Sequence, residues 1–264
     1  MIPKIIHYCW FGRQPKPEIV LKCIESWKKY CPDWEIIEWN ESNFDVSKHP
    51  YMKEAYERKK WAFVSDVARL LIVYNYGGVY LDTDVELSAS FDEKIVDIDA
   101  FFVFESNRYI ATGLGFGAKK HHQAVKQMIK YYDSKHFIGK KGEEVLVPCP
   151  RGNTESFKEL YKDFVRNGQT QRISDALILS YPEYSAIAKH YGTATWVEGG
   201  KSGSRIYHDT ILKKVLRDPK RFEFLEKYLG KRVTDYYTFL VYDFLEFGMG
   251  YYLKRVISRF IKGK

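Results

Sequence analysis

Cysteine is scarce in this chain, and Cys9, Cys23, Cys31 and Cys149 fall in neither a CxxC pair nor a Cys/His ligand spacing. That excludes a zinc-finger type of site and, at this chain length, a disulfide framework; reduced, buried thiols are expected. No stretch reaches the roughly 18 consecutive apolar residues of a membrane-spanning helix. The start, Met1-Ile2-Pro3-Lys4, has neither the charged opening nor the long apolar core of a secretory signal. Folding is therefore expected to begin with the first residues, in the cytoplasm. Internal repeats and long low-complexity linkers are also missing. Basic residues are spread along the chain without a recognised nucleic-acid module, so nucleic acid is not an expected partner.

What the chain has instead is an aromatic share of 17%, with 21 Tyr, 17 Phe and 6 Trp, and a net charge of +8. Aromatics suit stacking on bases or sugars and lipid interfaces, and the positive balance attracts anions such as nucleotide or lipid phosphates. Length permits one large α/β domain. The hydrophobic pattern predicts a strand at 5–11, a loop at 12–17, a helix at 18–30 and a strand at 34–39. A second helix at 61–76 leads to a strand at 79–82. Further on, a strand is expected at 100–105, a glycine-rich strand or turn at 113–118 and a helix at 123–132. The Gly-, Lys- and Pro-rich stretch 135–153 reads as a loop or hairpin. This alternation predicts a sheet with helices on its faces, in which ligands sit beyond the carboxyl ends of the strands. Trp10 and Phe11 fall at one such end, and Asp82 and Asp84 at another.

The stretch Gly77-Gly78-Val79-Tyr80-Leu81-Asp82-Thr83-Asp84 carries the most information. Two carboxylates one residue apart, at the end of an apolar strand, are the oxygen ligands that Mg²⁺ or Mn²⁺ shares with a diphosphate. Gly77 is expected to stop the preceding helix in a left-handed cap. The bland alternative is a solvated strand end with turn-forming acids. Within the helix, Asp66 and Arg69 are three apart and project from one face. Their neighbours, Ala62-Phe63-Val64-Ser65 and Val67-Ala68, are almost wholly apolar, so the pair is expected to be buried and to have a third partner. A sugar with several hydroxyls, or a phosphate for the arginine fork, would suit.

Three segments in this order, Ile2-Pro3-Lys4-Ile5-Ile6-His7-Tyr8-Cys9-Trp10-Phe11-Gly12, Ala62-Phe63-Val64-Ser65-Asp66-Val67-Ala68-Arg69 and Gly77 to Asp84, resemble glycosyltransferase family 32. That family comprises DxD sugar transferases, including capsular polysaccharide and lipopolysaccharide enzymes, and is distantly similar to glucosylating clostridial toxins. The resemblance covers roughly the first hundred residues well and the remainder in patches. It implies a glycosyltransferase type A fold, Rossmann-like with a mixed sheet and flanking helices. It further implies a nucleotide-sugar donor, UDP-linked, Mn²⁺ or Mg²⁺, and transfer with retention. By position, Trp10 would stack on the base, and Asp66 and Arg69 would hold sugar hydroxyls. Asp82 would face ribose and metal, and Asp84 would bind metal directly. Phe11, Ser65, Tyr80 and Thr112 complete the donor-facing set, Thr112 standing where relatives often carry an asparagine. His208 in Ser204-Arg205-Ile206-Tyr207-His208-Asp209 matches a late metal-binding histidine, although the Ser-Trp pair that usually follows is missing. His121 and His122 read as loop residues before a helix, and His7 as a satisfied core residue.

The catalytic domain is expected to span 1–232. Beyond it, 233–264 forms a helical extension in which Leu253, Val256, Ile257, Phe260 and Ile261 recur opposite Lys254, Arg255, Arg259 and Lys262. This reads as a membrane-surface anchor, or alternatively as a helix packed on the domain. With the family's lipid-linked glycan acceptors, it implies a peripheral position on the inner face of the plasma membrane. Two other functions fit parts of the sequence. A haloacid-dehalogenase-type phosphatase would use Asp82 as nucleophile, though Glu86 stands where its motif wants Thr or Val. A noncatalytic glycan- or membrane-binding protein would keep the site without turnover.

Overall fold

The computed structural model describes residues 1–95, 97–105 and 109–192. His208, the boundary at 232 and the amphipathic segment 233–264 lie outside the described residues. The elements run β1 (Ile5–Cys9), α1 (Glu18–Tyr30), β2 (Glu35–Trp39), α2 (Pro50–Glu57), α3 (Trp61–Tyr76), β3 (Gly78–Tyr80) and β4 (Val85–Leu87). Then follow β5 (Ala100–Val103), β6 (Phe116–Ala118), α4 (Gln123–Asp133), α5 (Cys149–Leu160), β7 (Gln171–Ile173), β8 (Ala176–Leu179), α6 (Tyr181–Ser185) and β9 (Ala188–His190).

Seven strands form one sheet in the order β2-β1-β3-β6-β5-β8-β7, and β4 pairs with β9 in a separate ribbon. Strands β2, β1 and β3 are mutually parallel, β6 runs antiparallel to both neighbours, β5 and β8 are parallel, and β7 is antiparallel. From β1 the chain passes through α1 to β2 on one side and later returns to β3 on the other. The carboxyl ends of β1 and β3 therefore flank a topological switch point, where open sheets leave a crevice for ligand.

Both sheet faces are covered. On one, α3 packs through Val64, Val67, Ala68 and Leu70 with Phe102, Phe116, Met128 and Phe157. On the other, Val20, Cys23, Ile24 and Trp27 of α1 join Ile6, Val79, Phe101 and the β4–β9 ribbon. Successive strand residues alternate between the faces, as Phe101 and Phe102 do. Trp27 is fully buried and its Nε1 donates to the Val85 carbonyl at 2.7 Å, tying α1 to β4. Burial of a side chain this large contributes about 1.5–3 kcal/mol.

The predicted helices at 18–30 and 61–76 have the observed bounds. Three expectations change. Strand β3 ends at Tyr80, so Asp82 and Asp84 stand in the connection to β4 rather than on a strand end. Gly77 does cap α3 at positive φ (69°), but its ψ of −170° is extended rather than left-handed helical. That backbone region is essentially reserved for glycine, and a Cβ there would also meet the Pro3 ring at 2.8 Å. Finally, 149–153 is not loop: α5 begins at Cys149, because Pro148 caps and Pro150 occupies the first turn, where a missing N–H costs nothing.

Candidate functional site

The strand alternation that sends Val79 and Leu81 to the α1 face sends Tyr80, and then Asp82, to the α3 face. There they meet Arg69. Its Nη2 lies 3.0 Å from Asp66 Oδ1 and 3.2 Å from Asp82 Oδ1, its Nε donates to the Ser65 carbonyl at 3.0 Å, and its guanidinium stands 5.0 Å from the Tyr80 ring centre. The Tyr80 hydroxyl donates to the same Asp82 oxygen at 3.0 Å. The third partner expected for the buried Asp66/Arg69 pair is thus the first carboxylate of the DxD itself. Only 4% of the Arg69 side chain is exposed, against 30% of Asp82. This gradient points the cluster outward through Asp82.

Gly113 makes the cluster possible. The Asp82 N–H donates to its carbonyl at 3.1 Å, and a Cβ on Gly113 would stand 2.4 Å from Asp82 Oδ2 and 3.0 Å from Arg69 Nη1. Burial pushes the Asp82 pKa up to about 6; Arg69 opposes the rise and Asp84 adds to it by repulsion. Burial likewise raises Asp66, opposed by Arg69 and by a hydrogen bond with Cys149. For Arg69 burial works against the charge, and Asp82, Tyr80 and Asp66 more than offset it.

Asp84 is placed by the second ribbon. Val85 pairs with His190 in the β4–β9 register, the Tyr191 N–H donates to the Asp84 carbonyl at 3.0 Å, and His190 Nε2 lies 3.2 Å from Asp84 Oδ1. The motif's two acids therefore have separate holders, Arg69 with Tyr80 for one and His190 for the other.

The remaining predicted residues divide. Trp10 lies at the end of β1, half-buried, with Nε1 donating to the Gln14 carbonyl at 2.7 Å and Lys16 Nζ 5.9 Å from the ring centre. Ser65 is half-buried and its hydroxyl donates back to the Trp61 carbonyl. Phe11 departs from the expected donor-facing position: it is buried and packs edge-on against Phe44. Tyr80 is likewise buried, so it acts on Asp82 from beneath rather than facing a ligand. Thr112 is fully buried and accepts from Asn153 Nδ2 at 2.9 Å. His7 is the satisfied core residue expected, between the Gly77 carbonyl (2.8 Å) and Trp39 Nε1 (3.1 Å). His122 caps α4 by accepting from the Ala124 N–H.

Sequence reasoning missed His190 and Cys149. Cys149 opens α5 with its Sγ 4.0 Å from Arg69 Nη1 and hydrogen-bonds Asp66. A short strand, Ala188-Lys189-His190, gives no periodicity to read, and only the antiparallel pairing with β4 reveals its role.

Among the described residues, no three His, Cys, Asp or Glu side chains are grouped to hold a metal. Mg²⁺ and Mn²⁺ do not need such a group, since one or two carboxylates plus phosphate oxygens suffice. Asp82 and Asp84 supply that hard-oxygen donor set, and the repulsion from Asp84, which adds to the rise that burial causes in the Asp82 pKa, is what a bound cation would relieve. The residues fit a divalent cation.

Residues 17–102 match the model of the glycosyltransferase sugar-binding region containing a DXD motif, a span that includes Asp66, Arg69, Asp82 and Asp84. Inositol phosphoceramide mannosyltransferase 3 of Schizosaccharomyces pombe is 33% identical over 95 residues, covering 34% of this chain and 26% of that protein. Human alpha-1,4-N-acetylglucosaminyltransferase is 30% identical over 109 residues, covering 39% of this chain and 30% of its own length. The chain thus spans well under half the length of these curated relatives. Among solved structures, the PaToxG glycosyltransferase superposes with a TM-score of 0.50 at 18% identity, over 60% of this chain and 70% of that one. The fold is glycosyltransferase type A. Within it, residues 17–102 are the part similar to the DXD-containing sugar-binding region of known glycosyltransferases.

Proposed function

We propose that this protein is a family 32 glycosyltransferase: metal-dependent, retaining, moving a sugar from a UDP-sugar to a lipid-linked surface-polysaccharide acceptor. The observation that carries this reading is Arg69 bridging Asp66 and Asp82 at the switch point of the sheet, with Asp84 two residues on. Asp82 and Asp84 would hold Mn²⁺ or Mg²⁺. A bound cation of this kind supplies Lewis-acid stabilisation of charge on a departing diphosphate. Arg69 adds a fixed positive charge that needs no reorganisation as negative charge develops. Asp66, a buried acceptor beside Arg69, suits hydroxyls of the donor sugar, and the half-exposed face of Trp10 suits a nucleotide base.

The relatives support a glycan or lipid acceptor: the name of one specifies an inositol phosphoceramide, and the two named activities transfer different sugars. On the same reading the enzyme works in the cytoplasm, peripheral to the inner face of the plasma membrane, with the basic amphipathic segment 253–262 as its contact. Among the described residues no helix is long and apolar enough to cross a membrane. Flotation of the full chain with anionic vesicles, and its loss when Leu253, Ile257 and Phe260 are replaced by Ser, tests the contact.

The activity is tested with a panel of UDP- and GDP-sugars, with and without Mn²⁺, reading transfer or slow donor hydrolysis and the anomeric configuration of the product by NMR. Mn²⁺-dependent turnover of a UDP-sugar with retention is the expected result. Metal-independent turnover, or full activity in Asp84→Ala, would sink the mechanism. A phosphoenzyme trapped at Asp82 would point to a phosphatase, and tight UDP-sugar binding without any turnover to a noncatalytic receptor.

A further inference from the structure

The second acid of the DxD is held by an element far away in sequence. We infer that His190 is the positioning residue for Asp84, orienting its carboxylate toward the cation site from outside the ligand set; this rests on the glycosyltransferase reading above. A carboxylate on a four-residue connection between two short strands has free rotation about χ1 and χ2 unless something fixes it. Here His190 Nε2 engages Asp84 Oδ1 at 3.2 Å, and the backbone on either side is fixed as well. The Tyr191 N–H holds the Asp84 carbonyl at 3.0 Å, and the Val85 N–H holds the Asp82 carbonyl at 3.1 Å.

The ribbon that delivers His190 is itself anchored. Glu86 on β4 pairs with Lys22 of α1 at 3.0 Å, Lys22 also donates to the Tyr191 hydroxyl at 3.0 Å, and the Tyr191 hydroxyl closes the triangle onto Glu86. Next to it, the Ser88 N–H donates to the Ile187 carbonyl at 2.8 Å. The imidazole thus reaches Asp84 from a two-stranded ribbon fastened to a helix on the α1 face, whereas Asp82 is gripped from the α3 face. With the two acids held from opposite faces, their spacing is set before a cation arrives. Outer-shell partners of this kind typically govern metal affinity by about 10–100-fold.

The test is Mn²⁺ affinity measured by EPR of free Mn²⁺ in the presence of saturating UDP, for the full-length protein and two variants. His190→Leu keeps the side-chain bulk and removes the contact; His190→Gln keeps an N–H donor of comparable reach. The inference requires about a 10-fold or greater loss of Mn²⁺ affinity in His190→Leu, recovery to within about 3-fold in His190→Gln, and melting temperatures within a few degrees of the parent. Equal affinity in parent and His190→Leu would overturn it while leaving the proposed function intact. An equal loss in both variants, together with ¹⁴N coupling to Mn²⁺ in the parent, would make His190 a direct ligand and also overturn it. A parent that binds no Mn²⁺ with UDP present would remove both readings at once.

Discussion

Arg69 Nη2 stands within 3.2 Å of both Asp66 Oδ1 and Asp82 Oδ1, so one guanidinium joins the buried helix to the acid that leads the DxD. Removing it strands two carboxylates in a site that already raises both their pKa values by burial. Arg69→Met is expected to cost roughly 3–5 kcal/mol of stability, the usual consequence of breaking a buried pair from one side. Arg69→Lys keeps a charge but not the fork, so it is expected to retain most of the stability while losing about 100-fold or more in turnover. Urea unfolding and donor hydrolysis, measured on both variants, separate the two roles. Parent-like stability and turnover in Arg69→Lys would show that only the charge matters.

Gly113 offers a way to move Asp82 without changing a charge. Its backbone is compatible with an L-residue, so Gly113→Ala adds only a methyl group, placed 2.4 Å from Asp82 Oδ2. The methyl is expected to push the carboxylate off the Arg69 and Tyr80 contacts. Overpacking of this size costs about 1–3 kcal/mol. The Mn²⁺ concentration needed for half-maximal activity should rise by about 10-fold or more. A variant with an unchanged Mn²⁺ requirement would show that Asp82 can shift without consequence for the site.

The chemistry of the first acid was legible in the chain because two short-range rules determine it. Helical spacing puts Asp66 and Arg69 on one face, and strand alternation sends Tyr80 and Asp82 toward that face. What could not be read was the partner of the partner: nothing in the spacing says that Arg69 reaches across to Asp82, since that depends on β1 and β3 pairing beneath α3. The resemblance puts Phe11 and Tyr80 in the donor-facing set, whereas packing takes both side chains into the core. The second half of the fold was less legible. Strands of three or four residues such as β7 and β9 are shorter than the pattern window needed to detect them, and α5 hides behind two prolines and an internal glycine. Gly152 belongs in that helix because Tyr131 of α4 occupies the space a Cβ would take, at 2.4 Å.

Trp10 supplies a test of where the nucleotide lies. Its indole N–H is already committed to the Gln14 carbonyl at 2.7 Å, which fixes the ring without using its face. Trp10→Ala is expected to weaken UDP binding by about 10-fold, equivalent to loss of one stacked base at about 1–3 kcal/mol, with Trp10→Phe recovering much of it. Calorimetric titration with UDP and with free sugar phosphate distinguishes the contributions. Sugar phosphate binding should be insensitive to either change. An unchanged UDP affinity in Trp10→Ala would place the base elsewhere.

His7 predicts a pH dependence that is separate from catalysis. Burial pushes its pKa down to about 4, against a partial lift from the Gly77 carbonyl, because the neutral ring is the one that fits. Nδ1 accepts from Trp39 Nε1, so Nε2 carries the proton donated to Gly77. A histidine whose folded pKa is depressed takes up its proton more readily unfolded, so acidification favours the unfolded chain. The loss begins as pH falls below the unfolded value near 6.5, grows to about 3 kcal/mol, and levels off below about 4. Asp82, with its raised pKa of about 6, acts in the opposite sense across much of the same range, because the folded state holds its proton more tightly. The parent's own stability profile therefore mixes the two, and the informative quantity is the difference between parent and His7→Gln, in which Asp82 titrates in both. Gln can donate to Gly77 and accept from Trp39 without titrating. Urea unfolding between pH 4.5 and 7.5 should show His7→Gln gaining on the parent steadily as pH falls below about 6.5, by up to roughly 2–3 kcal/mol. A constant difference across that range would mean that His7 is accommodated as readily charged as neutral, and that the Trp39–His7–Gly77 chain of hydrogen bonds does not fix its tautomer.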